Sequence, residues 1–238
     1  GLSIDSQWFD ADTSSNLQIP YSWNLIPGQS RENLLGYQVD DGRAINVARM
    51  STGNYQLAIT MNGPHTVSDE SGTQYGVVLD SGTKQSLASI TPPTIAGDDY
   101  WYDTGSPVEV VLNGIWNRTS GTGFRVASYS VSGDASTTVD TKGTVPVLTL
   151  TSITGPQSIT TTVVKQYQLK ISSGQLIAAT PPSISNDTSW YDRGTTVVTT
   201  YNNIWNVSYN SRLNAVGYRL DGGKESPIPR ADSGAFQV

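Results

Sequence analysis

Residues 100–106 read YWYDTGS and residues 189–195 read SWYDRGT, so two aromatic residues and an aspartate recur with the same spacing. A looser copy, QWFDADT, occupies residues 7–13. The six tryptophans follow the same register as three pairs, whose members are 15 residues apart in number: Trp8 and Trp23, Trp101 and Trp116, Trp190 and Trp205. This recurrence predicts a unit of about 90 residues that is used three times.

Other motifs recur in the same register. YSWN, GIWN and NIWN end at Asn24, Asn117 and Asn206. TMNGPHTV at 60–67 returns as SITGPQSI at 152–159, and TQYGVVLDSG at 73–82 returns as KQYQLKISSG at 165–174. We predict three domains, of which the first lacks its N-terminal part, the second is complete and the third lacks its C-terminal part: 1–67, 68–162 and 163–238. Either the sequence is a segment of a longer chain, or a strand donated by a neighbouring subunit completes each open end.

Alternating β-branched and aromatic residues predict strands within one unit, and Gly, Pro, Asn or Asp lies between them. The predicted strands are 73–80, 107–112, 124–131, 145–153 and 159–164. Short strands with turn residues between them predict an all-β fold of tandem immunoglobulin-like β-sandwich domains. The best helical candidate is residues 30–35, which is too short to change that prediction.

Composition excludes several function classes. The chain has 238 residues, no cysteine and a single histidine, His65, so disulfides, thiolate metal sites and multi-histidine sites are excluded. The net charge of −6 and the lack of basic clusters argue against nucleic acid as a partner. No apolar run approaches the length of a membrane span, and we expect no insertion of this segment into a membrane.

The string Asp103-Thr104-Gly105 resembles half of an aspartic-protease site, which needs two such loops. The matching copies replace Thr104-Gly105 by Arg193-Gly194 and by Ala11-Asp12, a change that catalysis would not tolerate. We therefore predict a turn, in which the aspartate bonds its own backbone two residues on and the glycine has positive φ. No catalytic residue is predicted, and we expect no enzyme activity.

The recurring tryptophans are predicted to be core aromatics: Trp8, Trp101, Trp190, Trp23, Trp116 and Trp205. Sugar stacking is the alternative, and it applies best to Trp116 and Trp205, which lie beside polar loop residues. Three Asn-x-Ser/Thr sequons make Asn117, Asn186 and Asn206 candidate glycosylation sites. Two of these follow a tryptophan, which predicts an exposed loop.

Acidic residues supply candidate cation ligands, namely Asp98, Asp99, Asp40 and Asp41. Hairpin turns are the competing interpretation for 40–43 and 221–224, because Asp and Gly tolerate positive φ. A diffuse acidic surface that attracts Ca²⁺ or other cations needs only the net charge. We expect no other cofactor. His65 aligns with Gln157, which favours a hydrogen-bonding role near a domain junction.

The motifs GPHTV, TQY and WYDTGS, with their copies GPQSI, KQYQL and WYDRGT, resemble the GPH-x-(I/V), TQY-x-L and GWY-x-x-G motifs of archaeal surface proteins. Such modules occur in tandem in surface-layer (S-layer) proteins and in some thermopsin-like secreted proteins. The resemblance implies immunoglobulin-like domains that are exported to the cell surface and often glycosylated. WFDADT departs from the pattern because it has no glycine.

This resemblance implies a structural component of a surface layer that self-associates into a lattice or filament and adjoins neighbouring domains of a longer chain. Two alternatives stay open. The chain could be an adhesion or carbohydrate-binding stalk, or a filament subunit completed by donor strands. It could also be the non-catalytic repeat region of a secreted thermopsin-like protease.

Overall fold

The computed structural model describes residues 8–92, 98, 100–139, 145–183, 189–230 and 233–238. Within these ranges the chain forms short strands in several sheets and one six-residue helix, so the predicted all-β class is confirmed. Among the described residues, no helix has the length and apolar character needed to cross a bilayer.

Strands of two to thirteen residues follow one another along the chain. The first are β1 (Ser14–Pro20), β2 (Ser22–Ile26), β3 (Ser30–Val39), β4 (Ile45–Asn46), β5 (Asn54–Thr60) and β6 (Val67–Leu79). Next come α1 (Ser81–Ser86), β7 (Leu87–Thr91), β8 (Trp101–Asp103), β9 (Val108–Leu112), β10 (Ile115–Thr119), β11 (Thr122–Val131), β12 (Thr137–Thr138), β13 (Val147–Leu150) and β14 (Gln157–Gln168). The last are β15 (Leu176–Thr180), β16 (Trp190–Asp192), β17 (Val198–Asn202), β18 (Ile204–Trp205), β19 (Leu213–Asn214), β20 (Gly217–Tyr218), β21 (Ser226–Pro227) and β22 (Ala235–Gln237).

The same antiparallel strand pairs occur three times along the chain. The pair β1–β5 corresponds to β9–β13 and to β17–β22. The hairpin β2–β3 corresponds to β10–β11 and to β18–β19. Two further pairings occur twice each: β6–β8 corresponds to β14–β16, and β7–β9 corresponds to β15–β17. We use the word repeat for the three predicted ranges that hold these matching strands.

Hairpin turns recur at matching places. Asp40 and Asp41 have φ of 51° and 57°, and the Gly42 amide donates to the Val39 carbonyl at 2.9 Å. Asp221 and Gly222 form the corresponding turn, closed by a bond from Gly223 to Leu220 at 2.8 Å. Two central residues with positive φ are what a two-residue hairpin requires. The predicted hairpin turns at these two places are therefore confirmed.

The contacts between residues divide the chain into two compact units. The first holds the described residues up to Gly114 together with Val126–Val139 and Val145–Val163, and the second holds Ile115–Arg125 and Val164–Val238. Fully buried side chains of the first unit include Leu34, Val110 and Ile153, whereas the second buries Trp190, Tyr191 and Ile228. The three-domain division stays a prediction, because a unit defined by contacts can hold more than one repeat.

Residues 30–35 do not form the helix that their local sequence suggested. They belong to β3, which pairs with β2 on one side and with β6 on the other. Leu34 on this strand has no exposed surface. Pairing on both sides and burial of one face outweigh the weak preference of six residues for a helix.

Candidate functional site

Arg31 on β3 is buried against polar groups that come later in the chain. Its two terminal nitrogens donate to the two carboxylate oxygens of Asp98 at 2.7 and 2.5 Å, and its Nε donates to Gln74 Oε1 at 2.7 Å. The side chains of Arg31 and Asp98 are 5% and 2% exposed. This is a bidentate, charge-assisted pair between buried side chains, and charge-assisted bonds are stronger than those between neutral groups.

The same guanidinium also covers an aromatic ring. Its central carbon lies 4.7 Å from the centre of the Trp101 ring, a cation–π geometry. Gln74 donates through Nε2 to Asp103 Oδ1 at 2.9 Å, and Arg49 donates to the same oxygen. We call this group the first clamp, and its members are Arg31, Arg49, Gln74, Asp98, Trp101 and Asp103.

A second clamp repeats the arginine–tryptophan, glutamine and aspartate contacts of the first. Arg118 lies 4.6 Å from the centre of the Trp190 ring and donates to Gln166 Oε1 at 3.1 Å. Gln166 in turn donates to Asp192 at 3.2 Å, and Arg125 donates to both oxygens of Asp192, with a shortest distance of 2.6 Å. The second clamp therefore consists of Arg118, Arg125, Gln166, Trp190 and Asp192.

Each clamp joins side chains from two successive repeats. Arg31 and Arg49 lie in 1–67, while the other members of the first clamp lie in 68–162. Likewise, Arg118 and Arg125 lie in 68–162, and the remaining members of the second clamp lie in 163–238. In both clamps the arginines come from the earlier repeat, and the tryptophan, glutamine and aspartate come from the later one.

The WYD string is the later repeat's contribution to the clamp. The predicted turn is present, because Gly105 and Gly194 have φ of 84° and 87°. The predicted bond from the aspartate side chain to its own backbone is wrong for Asp103 and Asp192, whose carboxylates bind glutamine and arginine instead. An arginine brings a full positive charge to the carboxylate, which a backbone amide does not.

Tyr102, the middle residue of the string, is buried and donates its hydroxyl to the Pro92 carbonyl at 3.3 Å. Burial, with Tyr100 nearby, raises the pKa of Tyr102 to about 12. The phenol is therefore neutral at physiological pH. Trp101 and Asp103 therefore belong to the clamp, while Tyr102 between them is buried.

The six tryptophans do not share one environment. Trp190 is buried, whereas Trp101, Trp23, Trp116 and Trp205 are partly buried. Trp116 stacks on Phe124, with 5.8 Å between the ring centres. Trp8 is 97% exposed, so its prediction as a core aromatic is wrong. QWFDADT also lacks a clamp among the described residues, since no arginine or glutamine bonds Asp10 there.

The sequon asparagines Asn117 and Asn206 are exposed, as predicted, and have φ of 51° and 52°. Asn24, at the matching place in the first repeat, has the same φ of 51°. Asparagine tolerates this left-handed region better than most residues, which accounts for the recurring Trp-Asn pair. Asn117 lies where the β10–β11 register shifts rather than in a loop. Asn186 lies outside the described residues.

The acidic residues predicted as cation ligands do not converge. Asp98 is occupied by Arg31, and Asp41 lies on a hairpin turn. Asp40 accepts the Thr66 amide at 2.7 Å and contacts His65 at 2.5 Å, and these two contacts lower the pKa of Asp40. Asp99 lies outside the described residues. No cluster of three potential ligands occurs in the described part of the chain.

Sequence reasoning missed the clamp because its arginines do not align. Arg31 and Arg118 occupy different positions of their repeats and lie on different strands. Gln74 and Gln166 were the available signal, since they occupy the same place in TQY and KQY. Comparisons of the chain with protein-family models, curated proteins and solved structures gave no match.

Proposed function

We propose that this chain is a structural, non-catalytic segment of an extracellular assembly, of the kind found in archaeal surface layers, built from tandem immunoglobulin-like β-sandwich domains. The observation that carries the proposal is the clamp between successive repeats. A protein whose role is to hold repeats in line needs its specific polar contacts at the junctions. The resemblance of the repeated motifs to surface-protein modules supports the extracellular location.

Strand β6 supports this role within the first unit. Its residues up to Tyr75 pair with β3 of the first repeat, and its residues from Gln74 pair with β8 of the second. The chain thus passes between the two repeats inside one strand, without a linker. Gln74 lies in the overlap and bonds both Arg31 and Asp103. Bending at this point would break the strand ladder and the clamp together.

The carboxylates also favour a structural role. An acid–base pair needs one carboxyl group that holds a proton while the other is charged. Asp98, Asp103 and Asp192 are instead each bonded to an arginine. A guanidinium keeps its proton at any relevant pH and is not a general acid. The three aspartates are therefore suited to structure more than to proton transfer.

Electron microscopy of the full chain across salt and Ca²⁺ concentrations tests the proposal. We expect sheets or filaments, with order that is reduced in Arg31→Met. Arg219→Met is the matched control, because Arg219 pairs with Glu225 on the surface and both are more than half exposed. Dispersed monomers under every condition would contradict the assembly role.

One observation favours the alternative of a carbohydrate-binding stalk. Trp8 is almost fully exposed and is followed by the partly exposed Phe9. Exposed aromatic faces can stack on sugar rings. A glycan array with the parent chain and Trp8→Ala separates the two functions, because only a stalk should lose glycan signal in the variant. Trp116→Ala and Trp205→Ala extend the test to the residues first considered for stacking.

A further inference from the structure

A groove of about 330 Å³ lies in the first unit, beside the first clamp. Its walls come from the β2–β3 hairpin, the end of β6, helix α1 and the chain that enters β8. The residues that line it include Leu25, Pro27, Val78, Lys84, Tyr100 and Trp101. The volume lies at the lower end of the range of about 300–1,000 Å³ for small-molecule sites.

Close contact between two backbone segments forms one side of the groove. The Gly76 amide donates to the Gln29 carbonyl at 3.1 Å, and a Cβ atom at Gly76 would lie 3.1 Å from the Gly28 carbonyl group. Gly28 itself has φ of 68°. Glycine at both places lets the β2–β3 hairpin approach β6. Main-chain contacts therefore give the groove its form without a ligand.

Two consecutive aromatic residues border this groove. Consecutive side chains in an extended chain point to opposite faces, so Tyr100 and Trp101 would ordinarily diverge. Tyr100 has φ of 61°, in the left-handed region, which breaks the alternation. Its carbonyl accepts the Val77 amide at 2.9 Å, and this bond holds the conformation in place. Both aromatic residues are thereby brought to one groove.

The backbone of Tyr100 is strained. Among the described residues, every other non-glycine residue with positive φ is aspartate, asparagine or serine. A bulky side chain makes the left-handed region unfavourable, whereas glycine adopts it freely. Strained residues of this kind cluster at ligand sites, where the surrounding structure holds them. A tyrosine at this place is therefore better explained by a ligand contact than by the needs of the turn.

The first clamp holds the neighbouring tryptophan. Arg31 lies 4.7 Å from the centre of the Trp101 ring, yet Trp101 is only half-buried, whereas Trp190 is 7% exposed. The place of Arg118, which covers Trp190, is taken by Leu25 in the first repeat. Trp101 therefore keeps accessible surface at the groove, on a ring that the clamp has already oriented.

Lys84 gives the groove its charge. Among the described residues that line it, Lys84 is the only one with a charged side chain, and no acidic group in that part of the chain bonds its ammonium group. An anionic ligand would form a charge-assisted bond there. The rest of the wall is mostly aromatic and aliphatic. A matching ligand therefore has an apolar face and an anionic group.

We propose that this groove binds an acidic saccharide, whose sugar ring carries a carboxylate group. The apolar face of the ring packs on Tyr100 and Trp101, and the carboxylate lies at Lys84. The hydroxyl groups stay hydrated, because the groove opens to solvent at Leu25 and Val78, which are 59% and 48% exposed. The same opening disfavours a fatty acid, whose chain needs burial from water. This inference goes beyond the proposed surface-layer role and does not depend on it.

The trimer of galacturonic acid is the probe, and its methyl ester, which has the same rings without charge, is the matched ligand. In an NMR titration of the full chain we expect saturable shifts at the Gly28, Gly76 and Val78 amides. The ester should bind about threefold more weakly, as expected for one exposed charge contact. Decanoate tests the fatty-acid alternative. A trimer that causes no saturable shift, or decanoate that binds more tightly than the trimer, would overturn the proposal.

Lys84→Met tests the charge contact. The variant should bind the trimer about threefold more weakly and bind the ester as the parent does, because only the carboxylate contact is lost. Lys224→Met removes an exposed lysine outside the groove and is the matched control. Equal losses for the trimer and the ester, or equal losses in the two variants, would contradict the assignment of Lys84.

Tyr100→Gly separates a ligand contact from a packing contact. Glycine adopts positive φ without strain, so the variant should unfold at about the same denaturant concentration as the parent. It should nevertheless bind the trimer about tenfold more weakly, because the aromatic contact is gone. Tyr209→Gly, at a fully exposed tyrosine outside the groove, should bind like the parent. Unchanged binding in Tyr100→Gly would remove the groove as the site.

Discussion

The two clamps place an arginine over a tryptophan at nearly the same distance, yet they take that arginine from different strands. Arg31 is the second residue of β3, whereas Arg118 lies on β10, the strand before the matching position. Gly123 is the second residue of β11 and corresponds to Arg31. What the repeats preserve is therefore the position of the guanidinium group and not the position of the residue.

Gly123 shows how the exchange is accommodated. A Cβ atom at this residue would lie 2.7 Å from Cγ of Arg118 and 3.4 Å from the Trp190 ring. Arg118 thus crosses the space above the Gly123 backbone, where any side chain would collide with it. Between the two repeats the arginine has moved to the neighbouring strand, and a glycine stands at the position that matches Arg31.

The largest expected effect in the clamps comes from Arg31→Met. The variant leaves Asp98 buried without a partner, and breaking such a buried pair costs about 3–5 kcal/mol. Chemical unfolding of the two proteins measures the difference. Arg219→Met removes an exposed pair and should cost less than about 1 kcal/mol. Similar losses in the two variants would show that Arg31 contributes no more than a surface arginine.

Gly123→Ala should cost less, about 1–3 kcal/mol, because the added methyl group crowds Arg118. If that collision is the cause, the double variant with Arg118→Ala should show a smaller loss than the sum of the two single losses. Gly174→Ala is the control, since a Cβ atom there meets no neighbour within 4 Å. Strict additivity in the double variant would contradict the exchange described above.

The smallest effect lies outside the clamps, in the first unit, and depends on pH. Asp80 caps α1 by accepting the Thr83 amide at 2.7 Å. Desolvation raises the pKa of Asp80, but bonds from Thr83, Thr161 and Gly82 outweigh it, so the net pKa is lowered from 3.8. A lowered folded-state pKa means that the charged form stabilises the fold above pH 3.8. That stabilisation is lost as the pH falls through the lower folded-state value.

Asp80→Asn tests this dependence. Asparagine also caps helices, so the variant should lose at most about 1 kcal/mol at pH 6 and respond less to acid than the parent does. Unfolding curves at pH 6 and pH 3 give both values. Asp134→Asn, on an exposed hairpin turn, is the comparison variant. If Asp80→Asn loses as much stability between pH 6 and pH 3 as the parent does, Asp80 is not the cause of that loss.

Local pattern was enough for much of the fold. Alternation and turn residues predicted the strands near 73–80, 107–112, 124–131, 145–153 and 159–164, and strands lie at all five places. Asp40-Asp41 and Asp221-Gly222 predicted hairpin turns, because few residues accept positive φ twice in succession. These strands and turns depend on residues that are adjacent in the sequence, so one sequence is enough to predict them.

The clamp and the helix depended on distant neighbours. Arg31 meets Asp98, which lies 67 residues further along the chain, and no local pattern reports such a contact. Helix α1 has only six residues and owes its start to the Asp80 cap, a signal too short to separate from a turn. The recurrence of the aspartate in WYD is visible in the sequence, but the arginines and glutamines that bind its carboxylate are not.

Strand β6 constrains how repeats of this kind can change length. Successive side chains on a strand point to opposite faces, so one inserted residue reverses every side chain that follows. A single insertion at Gln74 or Tyr75, where β6 pairs with both β3 and β8, would turn the apolar face of the strand's second half outward. A change of two residues keeps the alternation of faces, so this strand accommodates changes of length in twos better than singly.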